Sequence, residues 1–335
     1  MTDTGFRRIS VLGGGAWGTA LALVAARAGR EVRLWARDAD TVRALTDDNA
    51  NPRYLPGLRL DPPLHATADL DAALAGADAV LLVTPAQTTR VMAESLASRI
   101  SPGTPVILCA KGIERDTGLL LGDVLAEAAP GVVPAVLSGP SFAGDVARGL
   151  PTAVTIAAED GDIADRLSAA LASPQFRPYA ATDLTGVQIG GALKNVLAIA
   201  CGAVAGKEWG ASALAALTAR GFAELTRLGL ALGAKPETLG GLSGLGDLVL
   251  TCGSAQSRNF AFGQRLGEGA SVASLMAEGH KLAEGVHSAT VAGTLAARHG
   301  VELPICRAVS AVLENRLSID DALTDLMTRP LKRET

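Results

Sequence analysis

The segment Ile9-Ser-Val-Leu12, Gly13-Gly14-Gly15-Ala16-Trp17-Gly18, then Thr19 to Ala28, limits what this chain can fold into more than any other. An apolar strand, a glycine turn and a helix-forming stretch, in that order, make the G-x-G-x-x-G dinucleotide fingerprint in the context it requires. Gly13 permits the tight turn, Gly15 lets backbone approach a pyrophosphate, and Gly18 allows helix to pack closely on strand. The helix N-terminus adds unpaired N–H groups and a partial positive charge, both suited to an anion. The second strand, Val32-Arg33-Leu34-Trp35, runs into Ala36-Arg37-Asp38. An acidic residue at this place usually binds the adenosine ribose of NAD, but here an arginine comes first. A guanidinium pairs bidentately with a 2′-phosphate, so NADP is the expected cofactor, with Asp38 keeping NAD in play.

At 335 residues the chain exceeds the size at which one core usually stops growing, so a second domain is expected. From residue 8 to about 182, short β-branched runs alternate with Ala- and Leu-rich stretches, the pattern of a parallel α/β sheet. The spacing predicts strands over 9–12, 32–35, 79–83, 106–109, 133–137, 152–156 and 176–179, mostly continuous apolar runs. After Gly186 the strand signals stop, and helical-period segments follow, separated by joints such as Gly240-Gly241 and Gly244 to Gly246. The expected fold is therefore α/β: an N-terminal Rossmann-type doubly wound sheet over residues 1–185, and an all-helical C-terminal substrate domain over 186–335.

A net charge of −4 without a basic stripe argues against a nucleic-acid partner. Cysteines 109, 201, 252 and 306 form no Cys-x-x-Cys pair and have no histidine at ligand spacing. No metal site is expected; four buried thiols in a reducing cytoplasm are. Arg7-Arg8 before the apolar stretch 9–28 faintly suggests an export signal, but Gly13, Gly14, Gly15 and Gly18 break it and no cleavage site ends it. The apolar stretch from Asn195 to Gly206 is about twelve residues, too short to span a bilayer, and reads as a buried helix without stable membrane insertion.

Of the 30 basic residues only six are lysines, so a lysine in an apolar setting is informative. Lys111 follows the apolar strand 106–110, at the carboxyl edge where α/β sheets bind ligands. Lys194 lies in Gly190-Gly-Ala-Leu-Lys-Asn-Val-Leu-Ala-Ile-Ala200, too apolar for a solvent-facing helix. Burial lowers an ammonium pKa, which suits Lys194 to protonate a carbonyl oxygen as hydride attack turns it into an alkoxide. Ser254-Ala-Gln-Ser-Arg-Asn259 resembles a phosphate clamp, with the Arg258 fork and the polar Ser257 and Asn259 at a helix start. The plainer alternatives are a solvated Arg37, a Lys194 that snorkels out of a core helix, and Ser and Asn acting only as caps.

Taken in order, GGGAWGTAL, KGIE (111–114), SGPSFA (138–143), GALKNV (191–196), GLGDLVLTC (244–252), SRN (257–259) and AEG (283–285) resemble the bacterial NAD(P)-dependent glycerol-3-phosphate dehydrogenases. The resemblance implies reduction of dihydroxyacetone phosphate to sn-glycerol 3-phosphate, a glycerophospholipid precursor. It implies Lys194 as proton donor and acceptor, Asp247 orienting it, and Lys111 touching substrate and cofactor. Gly139, Ser141, Asn195, Asp247, Ser257, Arg258 and Asn259 would hold the substrate. Trp17, Arg37, Ala143, Arg258, Leu282 and Glu284 would contact the cofactor, beside Gly13, Gly15 and Gly18. One departure is Ala16, where the family often has serine. The oligomeric state stays open, with a homodimer as one option. Two rivals differ in chemistry: a β-hydroxyacid dehydrogenase spaces its lysine and asparagine four residues apart, whereas Asn195 here adjoins Lys194, and a non-catalytic NADPH sensor has no use for a buried lysine.

Overall fold

The central strands form because their residues are apolar on both faces: in Ala79-Val-Leu-Leu82 all four side chains are buried. The computed structural model describes residues 5–277 and 284–330. Among these, the strands are β1 (Arg8–Leu12), β2 (Glu31–Trp35), β3 (Ala50–Asn51), β4 (Leu55–Arg59), β5 (His65–Thr67), β6 (Ala79–Leu82), β7 (Pro105–Leu108), β8 (Val133–Ser138), β9 (Thr152–Ala158) and β10 (Phe176–Ala181). Eight form one sheet in the order β10-β9-β8-β7-β6-β1-β2-β5, while β3 and β4 pair apart from it. Helices α1 (Ala16–Arg27), α2 (Ala39–Thr46), α3 (Leu70–Leu74), α4 (Thr89–Ala97), α5 (Leu121–Ala128), α6 (Ala143–Ala147) and α7 (Gly161–Leu171) connect the strands. Alternate residues feed opposite cores, Ile9 and Val11 on one face, Val80 and Leu82 on the other.

The chain winds outward from β1 to β2 and β5, then crosses back to β6 and winds the other way. The crevice between the carboxyl ends of β1 and β6 is the switch point at which such sheets bind ligands. All seven expected strands are present, but the sheet is not wholly parallel: β8 and β9 pair antiparallel. Their connection carries only the five-residue α6, about 8 Å of helix against about 20 Å of strand. No full-length crossover helix carries the chain back along the sheet; β9 returns from the end at which β8 finishes, and the Gly139 carbonyl oxygen lies 3.3 Å from Lys111 Nζ, just past the carboxyl end of β7.

From Leu184 every described element is helical: α8 (Leu184–Gly206), α9 (Ala211–Ala231), α10 (Pro236–Leu239), α11 (Asp247–Cys252), α12 (Arg258–Gly267), α13 (Val272–Ala277), α14 (Glu284–Arg298), α15 (Pro304–Leu313) and α16 (Ile319–Met327). The stretch expected to be about twelve residues is part of a 23-residue helix, long and apolar enough to cross a membrane. Burial, not length, explains its composition, since most of it is packed inside the protein. A Cβ on Gly202 would lie 2.0 Å from the Phe260 carbonyl oxygen, and one on Gly263 2.0 Å from that of Ile199. Only glycine lets α8 and α12 touch backbone to backbone. At the start of α12 the same packing sets Asn259 on Asn195, the residue after Lys194.

Candidate functional site

Gly13 turns the chain at φ +133°, and a Cβ on Gly18 would lie 1.7 Å from the Gly13 carbonyl oxygen, so only glycine closes this turn. No atom lies within 4 Å of a Cβ built on Gly15, which leaves its backbone open on that side. Helix α1 starts at Gly15 with no side-chain cap, so its first-turn N–H groups are available to an anion. Turn, open face and uncapped 12-residue helix together fit a dinucleotide pyrophosphate. Trp17 and Ala143 are partly buried against the core beneath. Gly14 was assigned no part in the turn, yet its Cβ position lies 2.5 Å from Ala36 Cβ, so it fixes the approach of the turn to β2.

At the end of β2 Arg37 is exposed, and among the described residues nothing pairs with it. Asp38 is engaged: one oxygen accepts from Asp40 N at 3.0 Å as the cap of α2, and the other pairs with Arg53 Nη1 at 2.8 Å. The capping N–H bond, aided by Arg53, holds its carboxyl below the usual aspartate range.

The lysines meet on one carboxylate. Lys111, just past β7, donates to Asp247 Oδ2 at 2.6 Å and to the Gly139 carbonyl oxygen at 3.3 Å. Lys194, on α8, donates to Asp247 Oδ1 at 2.5 Å and to Thr251 Oγ1 at 2.8 Å. Asp247 is fully buried and Lys194 is 7% exposed, so the lysine does not snorkel. Burial, helped by the Lys111 charge and opposed by Asp247, pushes the Lys194 ammonium down to about 8. Gly191 makes the arrangement fit, because a Cβ there would lie 3.2 Å from Lys111 Cγ. Thr251 was missed in the sequence. It stands four residues after Asp247 on α11, and that i, i+4 spacing was the available signal.

The SRN segment divides its duties. Ser257 caps α12 by accepting from Phe260 N at 3.3 Å, which leaves its hydroxyl proton free to be donated. Arg258 is exposed at the first position of α12. Asn259 is buried: its amide nitrogen donates to Asn195 Oδ1 at 3.0 Å and its Oδ1 accepts from Gly285 N at 3.0 Å, tying α8, α12 and α14 together. Ser141 donates to the Gly139 carbonyl oxygen at 3.0 Å. Glu284 opens α14; burial raises its pKa against the pull of Arg258, Lys111 and Lys194. Leu282 lies outside the described residues.

Family models described as the N-terminus and C-terminus of NAD-dependent glycerol-3-phosphate dehydrogenase match residues 8–164 and 183–324. The glycerol-3-phosphate dehydrogenase (NAD(P)+) of Parvibaculum lavamentivorans is 57% identical over 330 residues, covering 98% of this chain and 99% of its own length. The chain belongs to the NAD-dependent glycerol-3-phosphate dehydrogenase family. The enzyme of the same name from Azorhizobium caulinodans is 58% identical over 329 residues, 98% of this chain and 99% of its own. The crystal structure of glycerol-3-phosphate dehydrogenase from Coxiella burnetii superposes with a TM-score of 0.91 at 39% identity, covering 97% of this chain and 99% of that one. Within this family member, Lys111, Lys194, Asp247 and Gly139 are joined directly, while Arg37 stands apart at the end of β2.

Proposed function

We propose that the chain reduces dihydroxyacetone phosphate to sn-glycerol 3-phosphate with NADPH in preference to NADH. The observation that carries this reading is Lys194, buried, brought down to about 8 and held on Asp247 at the carboxyl edge of a dinucleotide-binding sheet. When bound, the dinucleotide supplies hydride to C2. Lys194 gives a proton to the C2 oxygen as it becomes an alkoxide, so ketone, hydride and proton balance to the alcohol; in reverse the neutral amine takes that proton back. Asp247 fixes the lysine, with Thr251 holding a second of its protons. Lys111, on the other carboxylate oxygen, keeps positive charge where negative charge develops. Ser257 and Arg258 take the phosphate, so binding energy far from C2 orients the carbonyl.

The reading divides the chain near Thr185, with residues 1–185 for the dinucleotide and 186–335 for the substrate. A cytoplasmic location belongs to it and is supported by four free, buried cysteines. We leave the homodimer as an open part of it. The assay is NADPH oxidation with dihydroxyacetone phosphate, beside glyceraldehyde 3-phosphate and simple β-keto acids. Turnover should be confined to the first, and faster turnover of a β-keto acid would sink the assignment. Replacing Arg258 by alanine should raise KM for dihydroxyacetone phosphate about 10-fold or more, the worth of a charged hydrogen bond, and lower kcat as well, because the carbonyl loses the anchor that orients it. An unchanged KM would place the phosphate elsewhere.

A further inference from the structure

The β3–β4 pair is fastened to the glycine turn. Asn51, 1% exposed, donates to the Gly14 carbonyl oxygen at 3.0 Å and to Thr19 Oγ1 at 2.8 Å. Its tip turns through Asn51 to Tyr54, closed by Tyr54 N on the Asn51 carbonyl oxygen at 3.1 Å, and leaves Pro52, Arg53 and Tyr54 exposed. Arg53 is thereby set beside the end of β2. Its guanidinium pairs with Asp38 at 2.8 Å and lies 5.3 Å from the centre of the Tyr54 ring. Both Asp38 oxygens are occupied, one by the α2 cap and one by Arg53. Arg53 offsets the charge of the carboxylate that would accept from a ribose 2′-hydroxyl and occupies one of its oxygens. Arg37 stands next to it, exposed and unpaired among the described residues.

From this juxtaposition we infer that Arg53 is a specificity-determining residue, acting with Arg37 to receive the 2′-phosphate of NADP and holding Asp38 away from the ribose of NAD. With Asp38 paired by Arg53 and Asp40 paired by Arg43, the charge of Arg37 is left over at the end of β2, matched to a phosphate and not to a hydroxyl. The Arg53–Asp38 pair is exposed, with side chains 66% and 43% accessible, so exchanging the carboxylate for a more highly charged phosphate costs little. The inference rests on the NADPH preference proposed above.

The test is calorimetric binding of adenosine 2′,5′-bisphosphate and adenosine 5′-monophosphate to the whole enzyme, with kcat/KM for NADPH and NADH measured alongside. Both Arg53→Ala and Arg37→Ala are compared with the unmutated protein. Arg53→Ala should weaken the bisphosphate about 5- to 20-fold and the monophosphate less than about twofold. It should lower kcat/KM for NADPH to match, while that for NADH holds or rises as Asp38 is released. Arg53→Lys, which keeps the charge and loses the fork, should fall between. If Arg37→Ala removes discrimination and Arg53→Ala leaves it intact, Arg53 has no such role and the reading of Arg37 stands. If neither variant changes the ratio of the two nucleotides, the 2′-phosphate is not read at the end of β2 and both ideas fall together.

Discussion

Replacing Lys194 by alanine should lower kcat for dihydroxyacetone phosphate by about 10²-fold or more, with dinucleotide affinity nearly unchanged. The amine is buried and brought down to about 8, so it can hold a proton at pH 7 and still give it up cheaply. Lys111 remains in the variant, held on the other oxygen of Asp247 and on the Gly139 carbonyl oxygen. The vacancy would also leave Asp247 with one ammonium in place of two, which Lys111 still satisfies, so the variant should fold. Steady-state turnover and fluorescence titration with NADPH check this. A kcat within about threefold of the unmutated enzyme would take Lys194 out of the chemistry.

Asp247→Asn should be nearly as damaging, at about 10²-fold in kcat at pH 8, with a signature that packing alone does not produce. The asparagine keeps the shape and loses the charge that lies between two ammonium groups 2.5 and 2.6 Å away. That charge is what opposes burial at Lys194, so its removal must lower the lysine pKa further below about 8. A group needed in its protonated form then titrates away earlier, and the alkaline fall of the reductive rate moves to lower pH. A purely structural aspartate would lower Tm and leave that limb where it was. Turnover across the pH range, with a melting curve for each variant, separates the two.

Much of this molecule is legible in its residues, and the missing parts have physical reasons. Continuous apolar strands such as 79–82 announce themselves because both faces are buried. The β3–β4 pair does not: Pro56 and Gly57 lie inside β4, where they weaken any strand pattern, and β5 is a three-residue edge. Antiparallel pairing of β8 with β9 is a matter of strand direction, which the apolar run of either strand does not encode. At the site, an apolar helix singles out Lys194, yet nothing local says that its ammonium meets Asp247, 53 residues on. Asn259 shows the limit from the other side. Its residue type marks it as polar and near the clamp, but its bonds to Asn195 and Gly285, 64 and 26 residues away, are written in no local pattern. Asp38 at the end of β2 pairs with Arg53, fifteen residues later, a contact that the local pattern of neither segment encodes.

The central claim is that one lysine gives the proton in reduction and takes it in oxidation. Its most direct test is kcat/KM against pH for both directions, dihydroxyacetone phosphate with NADPH and glycerol 3-phosphate with NADP+, on the unmutated enzyme. The two profiles should mirror each other about a shared inflection near the about 8 of Lys194, the reductive rate falling above it and the oxidative rate rising through it. Profiles that run in the same direction, or an inflection that stays in place when Asp247 is replaced by asparagine, would contradict proton transfer by Lys194.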